Sequence, residues 1–324
     1  MSLRWGILGT ARINRRIIPA MRQARRSDLV AVASRDRARA EAYATEWSIP
    51  RAVTGYQALL DDSSIDAVYI PLPNSEHVPW TLAAIAAGKH VLCEKPIALD
   101  PTDVDLIAAA ASAAHVVVEE GYMYRHEPMT ARVMELINGG AVGTVRAVVS
   151  GFTFALLLES TNIRLQSALG GGALWDVGGY PLTYTQLIAG GHEPKMVFGT
   201  AHWSHSGVDE EFMGMLRFDE GITANIYAGF RAAYRTWLEV LGSDGALTVP
   251  NPFKPGPREI LELERNGQIE HITVPGSAEI FVREIEDFEA AVLDGAAQVV
   301  TLAESRRTAS TLAALHASAK AGIS

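Results

Sequence analysis

Two residues in this chain are of types that do chemistry and stand in distinctive settings: Lys95, in Glu94-Lys95-Pro96, and Tyr180, in Asp176-Val177-Gly178-Gly179-Tyr180. A lysine brings a positive charge, and a phenol can give and take a proton. Glu94-Lys95-Pro96 closes a short apolar run, His90 to Cys93, that reads as a buried strand. In an open parallel sheet, ligands collect beyond the carboxyl ends of the strands, so Lys95 is placed to meet one. Pro96 fixes its own φ and restrains the backbone of Lys95. The tripeptide alone also fits a solvated Glu-Lys pair; its place in a strand–helix series favours a site. Asp176 and Tyr180 are four apart, so a continuous helix sets them on one face. Gly170-Gly171-Gly172 lead in, Gly178 and Gly179 leave room for a ligand, and Pro181 threatens a kink. The plainer reading is a glycine-rich bend with a half-buried tyrosine.

The elements that must position these residues start at the N-terminus. Leu3 to Leu8 reads as a strand, Gly9-Thr10-Ala11-Arg12-Ile13-Asn14 as a glycine turn, and the pattern Ile13, Ile17, Ala20, Met21 as a helix to about Arg25. That context suits a dinucleotide fingerprint, although Ala11 and Asn14 stand where glycines are usual. Ala11 still admits a pyrophosphate, and the helix N-terminus attracts it. Leu29 to Ser34 is a second strand, and Asp36 caps a helix to Trp47. Ser34 and Arg35 stand at the strand end, where a ribose-binding carboxylate is expected. A hydroxyl and a guanidinium suit a 2′-phosphate, so NADP(H) is favoured over NAD(H). Asp36 is adjacent and suits the ribose of NAD instead.

Ala67 to Ile70 is a third strand, followed by Pro71-Leu72-Pro73-Asn74-Ser75-Glu76-His77 as a rigid loop and a helix from Val78 to Ala87. Thr102 to Ala114 reads as a helix and His115 to Glu119 as a strand. This βα alternation to residue 120 predicts an α/β, doubly wound parallel sheet over 1–120. The aromatic and polar run Gly121 to Pro128 reads as the crossing to a second domain, 121–324. There, alternating stretches (Val145–Phe154, Met196–His202, Phe212–Phe218, Ile222–Phe230, Thr236–Leu241, Ile260–Arg265, Gln268–Val274) predict a mostly antiparallel sheet in an α+β domain. Asp219-Glu220-Gly221 and Asn266-Gly267 are hairpin turns. Helices Val282–Leu293 and Ala303–Ala319 close the chain. An open sheet face invites a homodimer or homotetramer.

Composition limits the alternatives. The 324 residues are 48% hydrophobic and 20% charged, with a net charge of −9, an ordinary globular profile. The arginines at 12, 15, 16, 22, 25 and 26 fit one solvated helix face, so neither nucleic acid nor a membrane is an expected partner. Cys93 is the only cysteine. It reads as a small residue of a buried strand, and the lack of a disulfide suits a cytoplasmic protein. Met1 to Gly6 lacks the apolar core of a signal peptide. His202 and His205 would face opposite sides of a strand, so no metal site is expected, and no Gly-x-Ser-x-Gly elbow suggests a hydrolase.

In this order and spacing, Gly9-Thr10-Ala11, Pro73-Asn74 with His77, Glu94-Lys95-Pro96, Arg125 with Pro128, and Asp176 to Tyr180 resemble the Gfo/Idh/MocA oxidoreductases over nearly the whole length. The resemblance implies a Rossmann domain, a nicotinamide cofactor, and hydride transfer at a carbinol or carbonyl carbon of a sugar-like substrate. It implies Lys95, Tyr180 and Asp176 as catalytic residues. It implies cofactor contacts at Gly9, Thr10, Ala11, Ile13, Ser34, Arg35, Pro71, Leu72, Asn74, His77, Glu94, Lys95 and Arg125. Tyrosine at 180, where many members carry histidine, points to the branch of glucose-fructose oxidoreductase, NADP-dependent xylose dehydrogenase and dimeric dihydrodiol dehydrogenase. On this reading Tyr180 is the acid/base, the charge of Lys95 lowers the tyrosine pKa, and Asp176 orients substrate hydroxyls or Lys95. Trp175, Tyr124, Arg164 and Trp203 are candidates to line the pocket. An aldose dehydrogenase or keto-sugar reductase is expected first. A trans-dihydrodiol dehydrogenase and a non-catalytic dinucleotide-binding regulator are the rivals.

Overall fold

The computed structural model describes residues 1–157 and 161–322. They form two compact units. The first comprises Met1–Ala98, Thr102–His126 and Phe281–Ser305; the second comprises Leu99–Pro101, Glu127–Ile280 and Arg306–Ser324.

The first unit is built on six strands: β1 (Leu3–Leu8), β2 (Ser27–Ser34), β3 (Arg51–Thr54), β4 (Ala67–Ile70), β5 (His90–Glu94) and β6 (Val118–Gly121). Their order is β3-β2-β1-β4-β5-β6, and every neighbouring pair is parallel. That is the doubly wound order, whose ligand crevice lies where the strand sequence reverses, between β1 and β4. The helices are α1 (Asn14–Gln23), α2 (Arg37–Glu46), α3 (Tyr56–Leu60), α4 (Asn74–Ala86) and α5 (Pro101–Ala114), the last beginning at the unit boundary. Trp5, Ile7, Leu8, Val32, Tyr69 and Leu92 are buried at the centre.

Three boundaries differ from expectation. β3 and α3 are too short to show a period. α4 starts at Asn74, directly after Pro73, so Asn74 to His77 form its first turn rather than a loop. Proline's fixed φ makes it compatible with that position. Strand β6 begins three residues later than His115, which takes a left-handed φ of 54°.

The second unit carries α6 (Pro128–Asn138) and an eight-stranded sheet. Its strands are β7 (Val145–Thr153), β8 (Met196–Trp203), β9 (Asp209–Arg217), β10 (Thr223–Gly229), β11 (Arg235–Gly242), β12 (Gly245–Val249), β13 (Arg258–Arg265) and β14 (Gln268–Pro275). The order is β14-β13-β12-β11-β7-β10-β9-β8. Only β7 and β10 pair in parallel. Asn266 and Gly267, both at positive φ, make the β13–β14 turn, as a type I′ hairpin requires. Helix α7 (Gly179–Ile188) also belongs to this unit.

The last two helices divide differently from a single cut at residue 120. Helix α8 (Phe281–Asp294) returns to the first unit, and α9 (Leu302–Ala321) begins in the first and continues in the second. The cause for α8 is its apolar stripe: Phe288 packs on Trp5 with ring centroids 5.1 Å apart, and the Trp5 indole N–H donates to Glu289. Among the described residues, no helix is long and apolar enough to cross a membrane.

Candidate active site

At the strand reversal, β1 ends in Gly9, whose φ of +107° an L side chain rarely adopts. A Cβ there would lie 2.9 Å from Leu72 Cδ2, at the end of β4. The Asn14 side chain closes the same turn: it is buried and its amide donates to the Gly9 carbonyl at 2.9 Å. Thus the residue in the usual glycine position staples the loop. Helix α1 starts at Asn14 with no acid in its first turn; the Asn14, Arg15 and Arg16 N–H groups donate back to the carbonyls of Ala11, Arg12 and Ile13, so what the turn offers an anion is the positive end of the helix dipole. Beside it lies a cleft of about 440 Å³ lined by Thr10, Ala11, Arg12, Arg15, Arg39 and Tyr43.

Ser34 is buried at the end of β2, and its hydroxyl accepts the Asp36 N–H at 3.3 Å. Asp36 caps α2 as expected, accepting the Arg39 N–H at 2.7 Å. That engagement weakens its claim on a ribose. Arg35 and Arg39 are exposed. Burial raises the Tyr56 phenol pKa, and the charges of Arg35 and Arg39 oppose it. Sequence reading missed Arg12, Arg15, Arg39, Tyr43 and Tyr56 here. Arg12 and Arg15 had been assigned to a solvated face. Arg39 had a local signal, one turn into a helix whose cap was recognised. Tyr56 had none.

The β4 and β5 strand ends are tied together. His77 is buried, with Nδ1 2.7 Å from the Pro96 carbonyl and Nε2 2.7 Å from the Leu72 carbonyl. Two carbonyls favour protonation, but burial lowers its pKa and prevails. Both ring nitrogens therefore face main chain, and His77 braces the Pro71–Pro73 segment against the cis Lys95–Pro96 peptide. Tyr69 donates to Glu94 Oε1 at 2.6 Å; burial and then the Glu94 charge raise its pKa well above the ordinary value, so it stays a donor. Beyond Pro96, the Ile97 N–H donates to buried Glu120 at 3.0 Å. Lys95, half-buried, leaves from a backbone held on both sides. Cys93 is buried, and desolvation raises its thiol pKa well above normal, which suits an inert core residue. Arg125 donates to Glu304 at 2.9 Å and to the Val299 carbonyl. Its guanidinium thus braces the start of α9.

In the second unit, Leu174–Gly178 forms a π-helical turn that runs into α7, with Gly178 and Gly179 both helical in φ and ψ. Pro181 is the third residue of α7 and does not break it. Such π turns recur at functional sites. Gly178 does not make room for a ligand: a Cβ there would meet Leu174 at 2.9 Å and Ala228 at 3.5 Å, so the glycine seats the helix on β10. Asp176 pairs with Arg164, Nε to Oδ2 at 2.5 Å. Arg164 also lies over the Phe154 ring. Asp176 is therefore one half of an Arg164–Asp176 ion pair. Tyr180 packs against both Phe152 (5.3 Å) and Phe253 (5.5 Å). Trp175 and Trp203 both pack on His316, Trp175 buried and Trp203 half-buried, and Tyr124 is buried in the first unit. Among the described residues, no group of three or more His, Cys, Asp or Glu side chains is arranged for a metal ion.

A parallel sheet ending in an anion-ready glycine turn, with Lys95 at a neighbouring strand end, defines a dinucleotide-dependent oxidoreductase. A model described as an oxidoreductase family with an NAD-binding Rossmann fold matches residues 3–122, and the GFO/IDH/MocA C-terminal domain matches residues 130–248. The chain belongs to the Gfo/Idh/MocA oxidoreductase family. It is 37% identical to D-xylose 1-dehydrogenase (NADP(+)) 2 of Haloferax volcanii, over 98% of each chain. It is 34% identical to dTDP-3,4-didehydro-2,6-dideoxy-alpha-D-glucose 3-reductase of Saccharopolyspora spinosa, over 95% of this chain and 99% of the relative. The crystal structure of KijD10, a 3-ketoreductase from Actinomadura kijaniata in complex with NADP and TDP-benzene, superposes with a TM-score of 0.92 at 31% identity, covering 98% of both chains.

Proposed function

We propose that this chain is an NADP(H)-dependent oxidoreductase that oxidises an aldose or reduces a keto-sugar. The observation that carries the reading is the β1–α1 turn: Gly9 at the sheet's reversal, an α1 N-terminus with no acid in its first turn, and a cleft with Arg12, Arg15 and Arg39 on its wall. That donor set fits a pyrophosphate and a 2′-phosphate, and Arg35 at the end of β2 adds to it. The NADP named for the xylose dehydrogenase and for KijD10 points the same way.

A bound nicotinamide supplies or takes up the hydride. The chain must then move the matching proton. In sugar oxidation Tyr180 takes the hydroxyl proton as the carbon loses its hydride; in reduction it returns one. Lys95 stabilises the negative charge that develops on the substrate oxygen. Arg164 and Asp176 hold the remaining hydroxyls, the guanidinium donating and the carboxylate accepting. Ser34 and Arg35 select NADP(H). The protein works in the cytoplasm. The test is NADP⁺ reduction and NADPH oxidation over a panel of aldoses, keto-sugars and trans-diols. Turnover on a sugar is the expected result. Turnover on aromatic diols alone, or tight NADPH binding with silence on every substrate, would replace the reading with the dihydrodiol enzyme or a regulator.

The same reading makes the protein a homodimer through its eight-stranded sheet. Strand register sets Phe198, Met215, Asn225 and Val149 in one row, and Met213, Tyr227, Gly151 and Trp237 in the next. The opposite face of the same strands is core, with Leu216, Ala224, Val148 and Val240 buried. Phe198 is 56% exposed and Met215 51%. A Cβ at Gly151 would lie 2.2 Å from the Trp237 ring, so glycine lets the indole lie flat. A flat apolar face of this kind marks a protein–protein interface. Phe198→Asp with Met215→Asp is expected to convert the dimer into a folded monomer in light scattering. A wild-type monomer would refute the assembly.

A further inference from the structure

We propose that Asp209 is a positioning residue for Tyr180: by accepting the Leu174 N–H it fixes the start of the helical segment that presents Asp176 and Tyr180. The inference rests on the reading of Tyr180 as the acid/base. Asp209 opens β9 and is fully buried. Its Oδ2 lies 2.7 Å from the amide nitrogen of Leu174, the first residue of the π-helical turn. A helix start leaves such N–H groups without intrahelical partners. They are normally met by a side chain one turn away, as Asp36 does for α2. Here the acceptor comes from 35 residues further along, on a strand of the eight-stranded sheet. The bond therefore sets where the helix stands on the sheet.

The surrounding residues are shaped for this contact. Gly172 has a φ of +126°, and a Cβ there would lie 2.2 Å from Asp209 Oδ1. The Gly172 N–H donates to the Arg164 carbonyl at 2.9 Å. One glycine thus seats the carboxylate and also anchors the loop whose guanidinium reaches Asp176. The seat has a cost: Oδ1 has no hydrogen-bond partner among the described residues, and burial raises the Asp209 pKa to about 7. Lys320, on α9, opposes that shift. The other charged groups nearby are paired: Glu210 with Arg231, and Asp176 with Arg164. His316, on α9, is kept neutral by burial and by Lys320. A buried carboxylate with this penalty has no role in the proton transfer proposed above. Its contact at Leu174, in the turn that leads into the helix carrying Tyr180, gives it a positioning role instead.

The experiment compares Asp209→Ala, Asp209→Asn and Tyr180→Phe in kcat, KM, NADPH affinity and melting temperature. A misplacement of about 1 Å can cost about 10²-fold in rate, so Asp209→Ala is expected to lower kcat by about 10–100-fold with NADPH affinity unchanged. Asparagine accepts as well as aspartate at a helix start, so Asp209→Asn should recover kcat to within about threefold. Should Asp209→Ala not fold, Asp209→Ser replaces it, since its shorter side chain cannot reach Leu174. Asp209→Ala with normal kcat beside an inactive Tyr180→Phe would overturn the positioning role alone. Equal losses in Asn and Ala would also overturn it. An active Tyr180→Phe removes the acid/base reading, and this inference with it.

Discussion

Tyr180→Phe is expected to lower kcat by about 10²–10⁴-fold, the usual contribution of a positioned acid/base, and to leave NADPH binding intact. The ring packs against both Phe152 and Phe253, which are themselves stacked at 5.8 Å. A phenyl group keeps every one of those ring contacts. The substitution therefore removes the hydroxyl and little else, so a loss of rate reads as a loss of proton transfer. The cofactor cleft is lined by Thr10, Ala11, Arg12, Arg15, Arg39 and Tyr43 of the first unit, whereas Tyr180 belongs to the second. Steady-state kinetics on the best sugar of the panel, with NADPH fluorescence titration as the control, gives both numbers. A variant that turns over at the wild-type rate would show that the proton moves by another group, and Lys95 would be the next to examine.

Much of this arrangement was legible in the sequence because the signals are local. A strand, a glycine at Gly9 and an amphipathic helix need only a few residues each. Glu94-Lys95-Pro96 at a strand end follows from an apolar run and its terminator. What failed depends on distant partners. The turn at Leu174–Gly178 is π-helical, and a period-3.6 reading has no means of finding it; nor could it know that Asp209, far along the chain, meets Leu174. Gly178 looked like space for a ligand because sequence does not show that Ala228 lies against it. Nothing local shows that His77 meets a pair of main-chain carbonyls or that Arg125 meets Glu304. Helix α8 has a clear apolar face, but nothing local says that Trp5 is what it covers.

Arg35→Ala is expected to weaken NADPH binding by about 10–100-fold while NADH binding hardly changes. The magnitude follows from roughly 1.5–3 kcal/mol for a hydrogen bond to a charged group. The selectivity follows from geometry. Ser34 ends β2 buried, Asp36 is engaged in capping α2, and the side chain between them is a guanidinium. Its fork suits a phosphate's oxygens, and NADH has no 2′-phosphate for it to lose. Arg39, one turn into α2 and on the cleft wall, should produce a smaller loss of the same kind. Both arginines are exposed, so salt screens part of the attraction, and the gap between wild type and Arg35→Ala should narrow as ionic strength rises. Asp36→Ala separates capping from recognition: it should lower the melting temperature, since losing a cap costs about 0.5–2 kcal/mol, without turning the enzyme towards NADPH or NADH. Equal weakening of both cofactors by Arg35→Ala would mean that the guanidinium meets the pyrophosphate or the adenine, and the preference would then have to come from Arg12, Arg15 and Arg39.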